Sequence, residues 1–228
     1  MMTSKYIGYF LEEISTWQKR LSMVDQVIVS WFDVQRTWSH LESIFIGSED
    51  IRKQLPVDSQ RFDDIDTEFK KLMIKMAKTT NVIIATNVDG LAEQLEGLQG
   101  QLSLCEKALA EYLETKRLAF PRFYFSSSND LLDILSNGNQ PIKVSKHLTK
   151  LFDSIAKLQL SEKDSKKHKS EPNEKPQSNT DPTKLSNNAY AMSSKDGEYV
   201  LFNSDCVCEG QVEVWLNKLM ETMRESIR

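Results

Sequence analysis

Apolar residues recur near the N-terminus at alternating three- and four-residue steps, and this periodicity constrains the fold more than any other feature. Ile7, Phe10, Ile14, Trp17, Leu21, Val24, Ile28, Trp31 and Trp38 form one heptad-like line, interrupted by Gln35. Glu12, Glu13, Lys19, Arg20, Asp25 and Arg36 lie between its members and face water or a neighbouring helix. Three tryptophans on one line suit wide gaps between helices better than a tight Leu/Ile seam. The pattern predicts one long helix over residues 4–46, in a bundle or rod. A second line with the same spacing runs through Leu91, Leu95, Leu98, Leu102, Cys105, Leu109 and Tyr112. Helix breakers are scarce: 228 residues hold 8 Gly and 6 Pro, and Pro172, Pro176 and Pro182 fall in one short stretch. A sandwich, a barrel and a Gly-rich nucleotide fold are therefore disfavoured. The expected class is mainly α, an elongated helical-bundle rod with a small β-hairpin near the C-terminus.

The remaining segments fill in this outline. Gly47 ends the first helix, and Ser48 is placed to cap a short helix through Gln54 that stops before Pro56. The next helix carries Phe62, Ile65, Phe69, Leu72, Met73 and Met76 on one face. Asp63, Asp64 and Asp66 are read as its acidic start, complementing the helix dipole. Asn81–Asn87 has no decisive period and suits a short buried helix or an extended connector. Ser127 and Asp130 have capping-box spacing and open a helix with Leu131, Leu132 and Leu135 that ends at Asn137-Gly138. After Pro141, residues Val144, Leu148, Leu151, Phe152, Ile155 and Leu158 predict another amphipathic helix. Residues 161–188 contain Leu185 as their one apolar side chain, a composition that predicts disorder and ready proteolysis. Beyond them AYAM and EYVLF flank Asp196-Gly197, a hairpin signal. A last helix bears Val212, Trp215, Leu216, Leu219 and Met223. The predicted organisation is helical bundles over 1–160 with a junction near 119–126, a polar insert over 161–188, and a hairpin plus helix over 189–228.

Little in the chain resembles a reaction centre. No glycine is followed by Lys, and no G-x-G-x-x-G occurs, so a phosphate cradle is absent and the chain alone is expected neither to bind nor to hydrolyse ATP. Cys206-x-Cys208 has the wrong spacing for zinc, and Cys105 sits on the leucine line as a small buried residue. Three cysteines suit a reducing compartment. His40, His147 and His168 are widely separated, and the acidic pairs Glu49-Asp50 and Asp63-Asp64 sit at helix starts. Lys166–Lys169 reads as solvated linker. A net charge of −4 gives no footprint for nucleic acid. No apolar run reaches the length of a membrane span, and MMTSKYIGYFLEE lacks the parts of a signal peptide. A soluble intracellular protein without catalytic, cofactor or metal residues is expected. The one unusual cluster is AFPRFYF, where Phe120, Pro121, Arg122, Phe123, Tyr124 and Phe125 follow the long helix. It forms either the core of a hinge between bundles or a docking face for a partner. Successive side chains of an extended segment alternate sides, so at least one aromatic is left for a second layer.

Longer stretches carry a resemblance. WFDVQRTWSHLESIFIGSEDIRKQLPVDSQRFDDID (Trp31–Asp66), KALAEYLETKRLAFPRFYFSSSNDLLDILSNGNQP (Lys107–Pro141) and HLTKLFDSIAKLQL (His147–Leu160) closely resemble the linker region of dynein heavy chains. SSKDGEYVLF and GQVEVWLNKL follow in the same order, and the wording of SIFIGSEDIRKQLP and AFPRFYF is most similar to axonemal chains of the outer-arm type. The likeness covers nearly the whole chain apart from residues near 162–188. It implies a curved rod of helical bundles over a ring of ATPase modules, bending with nucleotide state and moving the tail. It also implies that ATP and Mg belong to the full-length motor, outside this chain, which would be a fragment, a short isoform or an incomplete gene product. Implied partners are the motor ring and other dynein subunits, with microtubules reached only indirectly and neither nucleic acid nor membrane bound. The implied location is the cytoplasm and cytoskeleton, in the axoneme of a cilium or flagellum. The alternative is a stand-alone helical scaffold binding dynein subunits or other partners; a reading frame continuing past Arg228 into a P-loop would separate the two.

Overall fold

A computed structural model of the chain describes residues 7–162 and 185–228. The fold is mainly α, and the chain divides into two compact units, Met1–Ala110 and Glu111–Arg228. In the first unit a 3-10 turn, Ile7–Phe10, leads into α1, Leu11–Phe45. Its buried residues are Val27, Val34, Leu41, Ile44 and Phe45, so the fully buried row lies beside the line predicted from the sequence. Trp17 and Leu21 are exposed and Trp31 and Trp38 half-buried. The tryptophan indole explains part of this offset, because its N–H needs a polar partner and holds the ring at a helix edge. Trp38 Nε1 donates to Asp66 Oδ1 at 3.0 Å while its ring lies 5.1 Å from that of Phe69.

Helix α2 spans Glu49–Gln54, and the Ser48 hydroxyl accepts from the Ile51 amide as its cap. Helix α3 runs from Pro56 to Ala77, its proline in the first turn where no donor is missed. It begins earlier than predicted, so Asp63, Asp64 and Asp66 stand within it rather than at its start. The dipole reading of these acids is corrected by their partners. Arg52 grips Asp63 with two bonds of 2.6 and 3.0 Å, and Asp66 receives Lys70 at 2.9 Å as well as Trp38. Phe45 stacks on Phe62 at 5.4 Å. Asn81 caps α4, Val82–Thr86, which resolves that stretch as helix. Helix α5, Leu91–Ala119, buries Leu91, Leu95, Leu98, Leu102, Cys105 and Leu109, as its periodicity requires. The boundary between the units falls inside α5.

The second unit continues with a 3-10 helix, Pro121–Phe125, then α6 (Ser128–Ser136), α7 (Pro141–Ser145) and α8 (Leu148–Leu151). The helix predicted through Leu158 is corrected here: Phe152 is extended, and Ile155–Glu162 is strand β1. IAKLQL alternates in polarity as well as fitting a helical face, and pairing with β2, Leu185–Ser194, decides between the two. β2 also pairs with β3, Tyr199–Val207, giving an antiparallel sheet in the order β1-β2-β3. The hairpin sits where Asp196-Gly197 predicts it, with Gly197 at φ +86° and the Ser194 hydroxyl accepting from the Asp196 and Glu198 amides. The polar segment is narrower than expected, since residues 161–162 and 185–188 belong to strands. The predicted disorder of its remainder falls on residues outside those described. Helix α9, Val212–Ile227, packs on β3 and buries Val212, Trp215, Leu216, Leu219 and Met223.

Candidate docking surface at the aromatic turn

Residues 121–125 form a short 3-10 helix entered from the extended Phe120, so beyond its first residue the segment is helical rather than extended. Phe120 and Phe123 are buried, meeting edge to face at 4.9 Å, and Phe120 lies 6.5 Å from Phe152. Tyr124 is 52% exposed and Phe125 74%. Arg122 turns inward: its Nη1 donates to the Leu151 carbonyl at 3.0 Å, and its guanidinium carbon lies 4.7 Å from the Phe152 ring centre. It braces the turn instead of extending the exposed face, and Pro121 stands at the surface as first residue of the turn.

The turn folds Tyr124 back along α5. Its hydroxyl donates to Glu114, which raises the phenol's pKa by making the proton harder to lose. Arg117 lies 6.0 Å from the Tyr124 ring centre, pairs with Glu114 at 3.8 Å and donates to Ser128 Oγ at 3.1 Å. Glu114, Arg117 and Leu118 share a helical face by their three- and four-residue spacing. Leu118 is exposed, so the surface comprises Leu118, Tyr124 and Phe125 with an ionic border. Sequence reading missed Leu118, Glu114 and Arg117; the backward turn imposed by Pro121 was the signal that links them to the aromatics.

Helix α9 holds the end of α5 from below. Lys116 Nζ meets Glu213 Oε1 at 2.5 Å, with side chains only 12% and 8% exposed. Asn217 Nδ2 donates to the Ala119 carbonyl at 3.1 Å, satisfying a group that the helix terminus leaves unpaired. Trp215 Nε1 donates to the Gly138 carbonyl at 3.0 Å, tying α9 to the loop after α6. Cys206 and Cys208 lie buried at the far end of β3. The hydrogen bond from the Cys208 S–H lowers the Cys206 pKa against the opposing effect of burial, with Thr222 and Lys218 adding to the lowering. Among the described residues no group of three His, Cys, Asp or Glu side chains is arranged to hold a metal ion.

A second polar cluster fixes the start of α6. The Ser127 hydroxyl accepts from the Asp130 amide at 3.2 Å and donates to Asp130 Oδ2 at 2.7 Å. Lys150 Nζ donates to Asp130 Oδ1 at 2.8 Å, and His147 Nε2 lies 2.6 Å from Asp133 Oδ2. The Lys150 ammonium, then the Ser127 hydroxyl, hold the Asp130 carboxyl down at about 2. Because its folded pKa lies below that of an unfolded aspartate, the stabilisation is complete above about pH 4 and is lost as pH falls toward 2. Thermal unfolding followed from pH 5 to 2 should therefore show a steeper loss for the native chain than for Asp130→Asn. Parallel curves would remove Asp130 from the account.

The fold defines a mainly helical segment with a small antiparallel sheet, and comparison with known proteins gives its family. The family profile described as "Dynein heavy chain, N-terminal region 2" matches residues 1–228, so the chain belongs to the dynein heavy chains. It is 61% identical over its full length to the ciliary dynein beta chain of Heliocidaris crassispina and 57% identical to human dynein axonemal heavy chain 17. Over 219 residues, 96% of the chain, it is 48% identical to the flagellar outer-arm beta chain of Chlamydomonas reinhardtii. The chain spans about 5% of the length of the first two relatives and 4% of the third. It matches part of the N-terminal region of axonemal heavy chains.

Proposed function

We propose that this segment is part of the mechanical linker of an axonemal dynein heavy chain. It carries the conformational change of an ATP-driven ring toward the rest of the motor in a cilium or flagellum, without catalysis of its own. The observation that carries the reading is the braced corner at Ala119–Ser126. A lever must change direction without yielding, and here the Lys116–Glu213 pair, the Asn217 cap on Ala119 and the Arg122 bond to Leu151 hold the break in α5 rigid. Leu118, Tyr124 and Phe125 stand outward at that corner and supply the docking face for the ring in this reading.

The test uses the full-length motor. Phe125→Ala and Tyr124→Ala are expected to slow microtubule gliding while leaving the fold of the segment unchanged by thermal melting. Unchanged gliding, or slowing only in variants that also unfold, would overturn the docking role.

A further inference from the structure

Two of the chain's three thiols lie together beneath α9, and a mechanical role makes no use of them. Cys206 and Cys208 are fully buried while Asp205, Val207 and Glu209 are exposed, so both sulfurs point to one side of the strand, as alternation requires. The Cys208 S–H lies 3.5 Å from the Cys206 carbonyl oxygen and within hydrogen-bonding reach of the Cys206 sulfur. Ala189, the cross-strand partner of Cys206, adds only a methyl group beside them. From α9, Thr222 and Lys218 act on the Cys206 sulfur and favour its thiolate. The pair also sits at an end of the sheet: β3 stops at Val207, and Glu209, Gly210 and Gln211 are exposed. Ends of elements open locally at little cost, which gives a molecule the size of water a route to these sulfurs.

We propose that Cys206 and Cys208 are an oxidisable dithiol, closed to a disulfide by hydrogen peroxide and reopened by a dithiol reductant, and that closure loosens the seat of α9. The Cys206 thiolate attacks one peroxide oxygen and the O–O bond breaks. Hydroxide leaves and takes up the proton that Cys206 released, and a sulfenic acid remains. The Cys208 sulfur then attacks the Cys206 sulfur, and the oxygen departs as water carrying the Cys208 proton. Two electrons pass from the sulfurs to the peroxide, and two waters form. The backbone has to yield for this, because Cα atoms two apart on a strand stand about 6.4–6.8 Å from each other, the long limit for a disulfide. Residues 208–210 can supply the movement, lying past the last ladder pair, with Gly210 already at φ +85°. The Cys208 amide donates to the Asn187 carbonyl at 2.8 Å, and closing the sulfurs draws that bond out of line. Only Glu209, Gly210 and Gln211 separate Cys208 from α9, so the pull reaches Val212 and Glu213 at its start.

The test treats the purified full-length heavy chain with hydrogen peroxide, blocks remaining thiols and maps tryptic peptides by mass spectrometry. Both cysteines fall on one peptide, Asp196–Lys218, which is expected to lose two hydrogens and to regain them with dithiothreitol. Cys105, buried without a second sulfur beside it, is expected to stay reduced and serves as the internal control. In Cys208→Ser the disulfide should be lost and Cys206 should be captured by dimedone as its sulfenic acid. Hydrogen exchange of the native chain, which needs no variant, should show faster exchange at the start of α9 after oxidation and recovery after reduction. A peptide that stays reduced, a disulfide from either cysteine to a different thiol, oxidation of Cys105 to the same extent, or unchanged exchange in α9 would each overturn the proposal.

Discussion

Replacing Phe123 by alanine is expected to destabilise the segment by about 3–5 kcal/mol, the usual result of deleting a fully buried aromatic ring. Phe123 has no exposed surface and closes edge-on against Phe120 at 4.9 Å. The surrounding turn cannot collapse into the gap, because Arg122 is bonded to Leu151 and the Ser126 hydroxyl donates to the Phe123 carbonyl at 2.8 Å. Two positions later the same change should stay within about 0.5 kcal/mol, since Phe125 already stands in water. Denaturant unfolding of the two variants measures the difference directly. Equal losses would mean that the cluster has one environment rather than two faces, and the separation of core from docking surface would fail.

The second large effect concerns the buried ion pair. Glu213→Ala strands the Lys116 ammonium beneath α9 and is expected to cost about 3–5 kcal/mol, because the lost partner leaves its charge desolvated. The paired replacement Lys116→Met with Glu213→Leu should recover most of that loss, since two apolar side chains of similar size carry no solvation debt. A double-mutant cycle by denaturant unfolding isolates the coupling. If Glu213→Ala proves nearly neutral, the ammonium reaches water after all and α9 contributes packing rather than an electrostatic lock.

Much of this architecture is legible in the residues, and the failures have physical causes. α5 and α9 are read correctly because each has one wide apolar face and few competing patterns, so the line Leu91–Leu109 and the set Val212–Met223 bury as written. The Ser127 cap is equally local, a hydroxyl placed three residues before the amide it serves. α1 misleads because two neighbouring rows are apolar, and only tertiary packing selects Val27–Val34–Leu41 over the tryptophan row. IAKLQL misleads because its residues satisfy a helical and an extended period together, and its strand partner lies beyond residue 184. The three aspartates of α3 look like a helix start until Arg52, Trp38 and Lys70 arrive from elsewhere. At the candidate site the aromatics announce themselves, but Leu118 and the Glu114–Arg117 border emerge only once Pro121 turns the chain back.

The sheet also contains a practical opening. Glu162 at the end of β1 is the cross-strand partner of Leu185 at the start of β2, so the two ends of the connection between these strands lie at adjacent points. Closing a longer connection between two fixed neighbours adds cost only with the logarithm of its length. The Leu158–Met192 and Leu160–Ala189 pairs, and the hairpin beyond them, lie further along the sheet from that connection. The junction between these strands is therefore a rational place for a genetically encoded fluorophore, reporting the position of this part of the heavy chain in a beating axoneme.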